Sequence, residues 1–136
     1  MSVVYAEEPA LSVADYVAVL GETTMRGKRP LANTERIGQM LAGADLIVTA
    51  RREGELLGLA RCITDRIWIC YCAELAVRES AQGLGVGRGI LEAAWAILGP
   101  KVGFVLVSEP EAVQFYKRVG MSPDVTAFYR PRSDRA

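Results

Sequence analysis

The chain has 136 residues, 51% of them apolar and 24% charged, which is room for one globular domain with a real core and too little for two. Its 16 Lys plus Arg balance 16 Asp plus Glu, and a formal net charge of zero argues against nucleic-acid or anionic-membrane partners. The lack of any His removes every Ser–His and Cys–His nucleophilic scheme, and no run of 18 apolar residues offers a membrane span. The opening MSVVYAEEP carries no basic region ahead of an apolar core, so no signal peptide is expected, and a cytoplasmic location is. Cys62, Cys70 and Cys72 are odd in number, against a disulfide framework. With thiols and carboxylates the only ligands left, no metal is expected.

In chain order, residues 3–8 read as a short strand. Residues 12–22 read as a helix with Val13, Tyr16, Val17 and Leu20 on one stripe, Ser12 as N-cap and Asp15 three residues on. Residues 23–33, with Gly, Pro and four polar breakers, read as a loop. A second helix follows over 34–43, capped by Asn33 or Thr34. Residues 45–52 and 55–64 form two strands about a turn at 53–55. A turn at 65–66 leads into 67–77, IWICYCAELAV, apolar on both faces and therefore a central strand. Residues 88–98 read as a helix stopped by Gly99-Pro100, and 102–108 as another buried strand. A helix over 108–120 has a Ser108/Glu111 capping box, Pro110 in its first turn and Gly120 at its end. Residues 125–131 read as a final strand, and 131–136 as a frayed tail. The order β-α-α-β-β-β-α-β-α-β is that of a mixed α/β domain.

Four glycines fall between Gly83 and Gly89 in AQGLGVGRGIL. No Gly-Lys-Ser/Thr follows, so this is not a Walker loop, and the sixth positions from Gly83 and Gly85 are Arg88 and Ile90, so it is not a dinucleotide fingerprint. A strand, a glycine turn and a helix start nevertheless suggest a phosphate cradle: glycine lets backbone N–H groups approach an anion, the positive end of the helix dipole follows, and Arg88 adds a charge-assisted contact. The alternative is that the glycines serve tight strand-to-helix packing.

The spacing Gln82-x-x-Gly85-x-Gly87 after ELAV resembles the acyl-CoA signature of the GNAT N-acetyltransferase superfamily, and AVQFYKRVGM (112–121) is similar to that family's A-x-x-F-Y-x-x-x-G-F/M helix. The resemblance spans the whole chain and is densest over 67–121. It implies a single domain over residues 1–136, with a mixed sheet of six to seven strands and four helices. Two central parallel strands, 67–77 and 102–108, would splay apart to admit coenzyme A. The pantetheine arm would pair with backbone at Leu75, Ala76 and Val77, and the pyrophosphate would rest on Gln82, Gly83, Leu84, Gly85, Val86, Gly87 and Arg88. Many relatives carry Asn at the position held here by Glu109.

The reaction so implied is direct attack of a primary amine on the thioester carbonyl of acetyl-CoA. The resemblance gives Tyr116 the role of protonating the coenzyme A sulfur, and a phenol near 10 can donate to a thiolate whose acid is about 8.5. Glu74, an ionisable group in an apolar strand, is the candidate to take the amine's proton through water; its alternative is a structural carboxylate bonded to Arg61 or to a loop. Cys72, two residues earlier, is expected on the same face as Glu74. A main-chain N–H near Ala76 or Val77 would face the carbonyl oxygen. The first two helices, the loop bearing Met25, Arg26, Lys28 and Arg29, and Trp68 and Tyr71 would line the pocket for a small-molecule amine, and the basic loop could favour an acceptor with a carboxylate. A homodimer is left open. The rival readings are a non-catalytic acyl-CoA-binding sensor or interaction module on the same fold, and a phosphate-binding domain unrelated to coenzyme A.

Overall fold

The computed structural model describes residues 2–135 and falls into two compact units, Met1–Leu106 and Val107–Ala136. In the first unit, strand β1 (Val4–Glu7) precedes helix α1 (Val13–Leu20), whose start is fixed by Ser12 accepting the Asp15 N–H at 3.1 Å. The expected loop 23–33 contains a 3₁₀ turn at Thr24–Lys28. Helix α2 (Thr34–Ala42) starts at Asn33, whose side chain accepts the Arg36 N–H. Strands β2 (Leu46–Arg52) and β3 (Glu55–Thr64) meet at a tight turn with Glu53 and Gly54 at φ 51° and 81°, the left-handed pair that matches strand twist. Asp65 then accepts the N–H groups of Ile67, Trp68 and Ile69. This consumes the first two residues of the expected long strand, so β4 runs Ile69–Val77 and Trp68 stands in the turn. Helix α3 (Val86–Leu98) and strand β5 (Gly103–Leu106) complete the unit.

The sheet has five strands in the order β1-β2-β3-β4-β5, antiparallel except for the β4–β5 pair. The expectation of six to seven strands is thus corrected to five. The expected strand over 125–131 is not formed, and no strand lies beyond Leu106 among the described residues. β3 is the middle strand, while β4 lies one in from the edge and β5 is the edge. Alternation decides the layers. One face packs Leu46, Val48, Leu57, Ala60 and Cys62 against Ile90 and Ala94 of α3. The other packs Ile47, Leu59 and Ala76 against Tyr16, Val19 and Leu20 of α1 and Ile37 and Leu41 of α2.

A bulge in β4 governs the rest. Arg61 pairs with Glu74 and Cys62 with Cys72, so Ala73 is an extra residue. Cys70 and Cys72 therefore share the α3 face, while Glu74 and Ala76 turn to the α1 face. The expectation that Cys72 and Glu74 share a face is corrected by this single insertion. All three thiols are free and buried.

In the second unit, a 3₁₀ turn (Pro110–Ala112) leads into helix α4 (Val113–Arg118). The expected capping box does not form, because Ser108 Oγ donates to the Glu109 carbonyl at 2.7 Å and no side chain caps α4. The predicted stop holds: Gly120 has φ 93°, and the Met121 N–H reaches back to the Tyr116 carbonyl at 3.0 Å.

Candidate functional site

Three features of the first unit converge on β4. The β4–β5 ladder ends at the pair Cys72–Leu106, yet β4 continues to Val77. Residues Glu74 to Val77, including Leu75, Ala76 and Val77, keep β3 as their ladder partner on one side alone. Beyond Val77 the chain makes a 3₁₀ turn at Glu79–Ala81 and reaches the glycine run, and Gln82 Nε2 donates back to the Val77 carbonyl at 3.2 Å.

The glycine run divides by task. Gly83 and Gly85 sit at φ 84° and 79°, and a Cβ on either would meet nothing within 4 Å, so they supply a left-handed turn facing open space. Gly87 lies in the first turn of α3. A methyl group on Gly89 would collide with the Tyr5 ring, so packing explains this fourth glycine, as the alternative reading had it. No side chain caps α3, and its first bond is Gly89 N–H to Gly85 O at 3.0 Å. The amides of Val86, Gly87 and Arg88 thus precede the first i−4 bond, at the positive end of a 13-residue helix. Leu84 is exposed and Val86 buried, so Val86 anchors the turn that Leu84 crowns. A left-handed turn in open space at the positive end of a helix is an arrangement that suits an anion.

The third feature is a buried charge cluster. Glu74 is 3% exposed. One of its oxygens accepts the Tyr16 hydroxyl at 2.6 Å and the Arg61 Nε–H; the other accepts Arg61 Nη2–H at 2.8 Å and Arg29 Nε–H at 3.0 Å. Burial alone would raise the carboxyl pKa. The hydrogen bonds and charge of Arg61, then Tyr16 and Arg29, outweigh it and hold Glu74 below its ordinary value. The Tyr16 phenol is pushed up, by burial first and then by the adjoining carboxylate. Arg61 is the partner named in the alternative, structural reading of Glu74. Tyr16 was legible only as a member of an apolar stripe, although a buried phenol needs a hydrogen-bond partner. Arg29 was legible as a loop cation. Chemically, a carboxylate with both oxygens engaged is a firm counter-ion and a weak proton acceptor.

Arg29 also donates to the carbonyl of the bulge residue Ala73 at 3.0 Å and to Lys28 O at 3.0 Å. It ties the 24–28 turn to β4 where β5 pairing has just ended. Trp68 and Tyr71 are exposed, at 75% and 42%. In the second unit Tyr116 is half-buried on α4, its ring edge-on to Phe115 with centroids 5.1 Å apart. Among the described residues no group of three or more Cys, Asp or Glu could hold a metal, and no helix is long and apolar enough to cross a membrane.

The family described as acetyltransferase (GNAT) domain matches residues 43–121, more than half the chain. The chain belongs to the GNAT acetyltransferase family. A curated relative, serotonin N-acetyltransferase 2, chloroplastic, of Oryza sativa subsp. japonica, is 31% identical over 127 residues; the match takes in 85% of this chain and 64% of that protein's length. The GNAT fold is shared with an acetyltransferase from Streptococcus pneumoniae at TM-score 0.74 and 18% identity, covering 98% of this chain and 100% of that one. It is shared also with AAC(6′)-Iy, solved in complex with the bisubstrate analogue CoA-S-monomethyl-acetylneamine, at TM-score 0.71 and 15% identity, covering 97% and 99%. GNAT acetyltransferases use acetyl-CoA as the acetyl donor.

Proposed function

We propose that this GNAT chain is an N-acetyltransferase that moves the acetyl group of acetyl-CoA to a small primary amine. The observation that carries it is the uncapped α3 N-terminus behind two left-handed glycines, set at the end of a strand that outruns its parallel neighbour. In this reading residues 82–88 hold the pyrophosphate, and Leu75, Ala76 and Val77 offer backbone to the pantetheine arm. An N–H at Ala76 or Val77 faces the carbonyl oxygen as charge develops. The amine nitrogen bonds to the carbonyl carbon, the C–S bond breaks, and the Tyr116 hydroxyl donates to the leaving sulfur. The match to the family runs from 43 to 121, across both units, which supports one catalytic domain over residues 1–136.

The bonding of Glu74 bears on its expected role as base. A proton arriving there would have to displace Arg61, Tyr16 or Arg29. In our reading Glu74 therefore acts by holding the two guanidiniums, and the acceptor sheds its proton to water. A net positive neighbour disfavours an ammonium and lowers its pKa. The same clamped carboxylate favours one rival, an acyl-CoA-binding module without turnover.

The test is direct. Acetyl-CoA at a hundred times its Kd should stabilise the protein by about 2.7 kcal/mol, and thiol should be released with members of an amine panel. A thermal shift without release from any amine selects the module; no shift at all overturns the proposal. Gly85→Ala should cost about 1–2 kcal/mol in a urea melt, because a Cβ is strained in the left-handed region, and should weaken acetyl-CoA binding by calorimetry. Full affinity in that variant would remove the turn from the cofactor site.

A further inference from the structure

From the Arg29–Glu74–Arg61 cluster we infer that the acceptor carries an anionic group, carboxylate or phosphate, beside its amine, and that Arg29 is the residue that selects it. The inference rests on the acetyl-transfer reading above.

Three observations support it. The first is charge balance. Two guanidiniums share one carboxylate, and among the described residues neither is ion-paired with any other acidic side chain. The cluster keeps one positive charge with little water around it. A desolvated excess charge is costly unless an opposite charge joins it. The second is donor accounting. A guanidinium has five N–H donors in a fixed fork. Arg29 spends three, on Glu74, Ala73 O and Lys28 O. Its side chain is 22% exposed against 11% for Arg61, so Arg29 is the guanidinium that solvent reaches more. A carboxylate or phosphate oxygen pair suits such a fork better than a lone ammonium does.

The third observation is position. The Ala73 carbonyl that Arg29 holds belongs to the first β4 residue beyond the last β5 pair, Cys72–Leu106. A cofactor whose diphosphate rests at 82–88 and whose arm runs back along β4 past Val77 and Leu75 brings its thioester end towards Ala73. Arg29 then stands at the reacting end, on the α1 face of the sheet. There it pairs with an anion on the acceptor and leaves the amine free to attack. An acceptor with several cationic groups and no anion meets repulsion at the same place.

Matched pairs that differ in the anion alone test this: phenylalanine against phenethylamine, and O-phosphoethanolamine against ethanolamine. Each is measured by thiol release with acetyl-CoA, and by the thermal shift that its N-acetyl product gives in the presence of coenzyme A. The anionic member of at least one pair should show a kcat/KM about tenfold higher, the gain of one charge-assisted contact, and the larger shift; which pair responds tells carboxylate from phosphate. Arg29→Gln should bring that ratio close to one, chiefly through KM, and Arg29→Lys should restore part of it. Preference for the anion-free member in both pairs, or a ratio unchanged in Arg29→Gln, overturns the inference while acetyl transfer stands. Absence of both an acetyl-CoA thermal shift and thiol release overturns the acetyl-transfer reading and this one with it.

Discussion

Tyr116→Phe is expected to lower kcat about a hundredfold, the lower range for loss of one positioned general acid, while the Kd for acetyl-CoA stays within twofold. The exchange removes one hydroxyl and leaves the ring edge-on to Phe115, so helix α4 keeps its packing and stability should change by about 1 kcal/mol or less. The loss should be confined to the step in which the sulfur leaves. A general acid acts only on the departing sulfur, so the loss should appear in kcat and leave the binding of acetyl-CoA as it was. Steady-state thiol release, run beside calorimetric titration with acetyl-CoA, measures both. Equal turnover in the variant would take Tyr116 out of the chemistry and leave it as a packing residue.

Glu74→Gln carries the largest effect on stability. Removing the carboxylate charge leaves Arg61 and Arg29 side by side with no counter-ion among the described residues. Breaking a buried pair from one side costs about 3 kcal/mol, and the midpoint of thermal unfolding should fall by about 10 °C. The cost should depend on pH in one direction. Burial pushes the Glu74 carboxyl up, but Arg61, Tyr16 and Arg29 pull it further down, so its folded value lies below the unfolded one. Its stabilisation is then complete above the ordinary carboxylate value of about 4.3 and is lost as pH falls through the lowered folded value. Urea melts at pH 7 should separate the two proteins widely, and the gap should close in strong acid. Equal stability at pH 7 would show that the cluster contributes nothing. Kinetics add a second reading: a base at Glu74 would lower kcat and erase the acid limb of the pH profile, whereas a holding role raises KM for the acceptor as Arg29 loses its anchor.

Local signals carried most of the first unit. Ser12 and Asn33 mark helix starts because their side chains satisfy backbone donors within three residues, and short-range chemistry of this kind is visible in any sequence. The Gly83–Gly85 turn was visible for the same reason. Three features were not, each because it depends on a partner far along the chain. The bulge at Ala73 is a matter of register against Arg61 and Cys62, and nothing in IWICYCAELAV announces an extra residue. The Tyr16–Glu74 bond joins positions 58 apart. The segment 125–131 has strand-forming residues but joins no ladder, and side-chain preference alone does not make one. The capping box at Ser108 failed more locally, since its hydroxyl turned to the Glu109 carbonyl instead.

Ala73 also sets a limit on how the gene for this chain can vary. Deleting that one codon would realign β4 with β3 in unbroken two-residue alternation. Glu74 would still lie opposite Arg61 and Leu75 opposite Ala60, each on the face it has now, but the bulge carbonyl that Arg29 grips would be gone. Conservative point changes at the same position leave the count of residues intact and should be survivable. What this spot supplies is one additional backbone oxygen for Arg29, whatever side chain it bears.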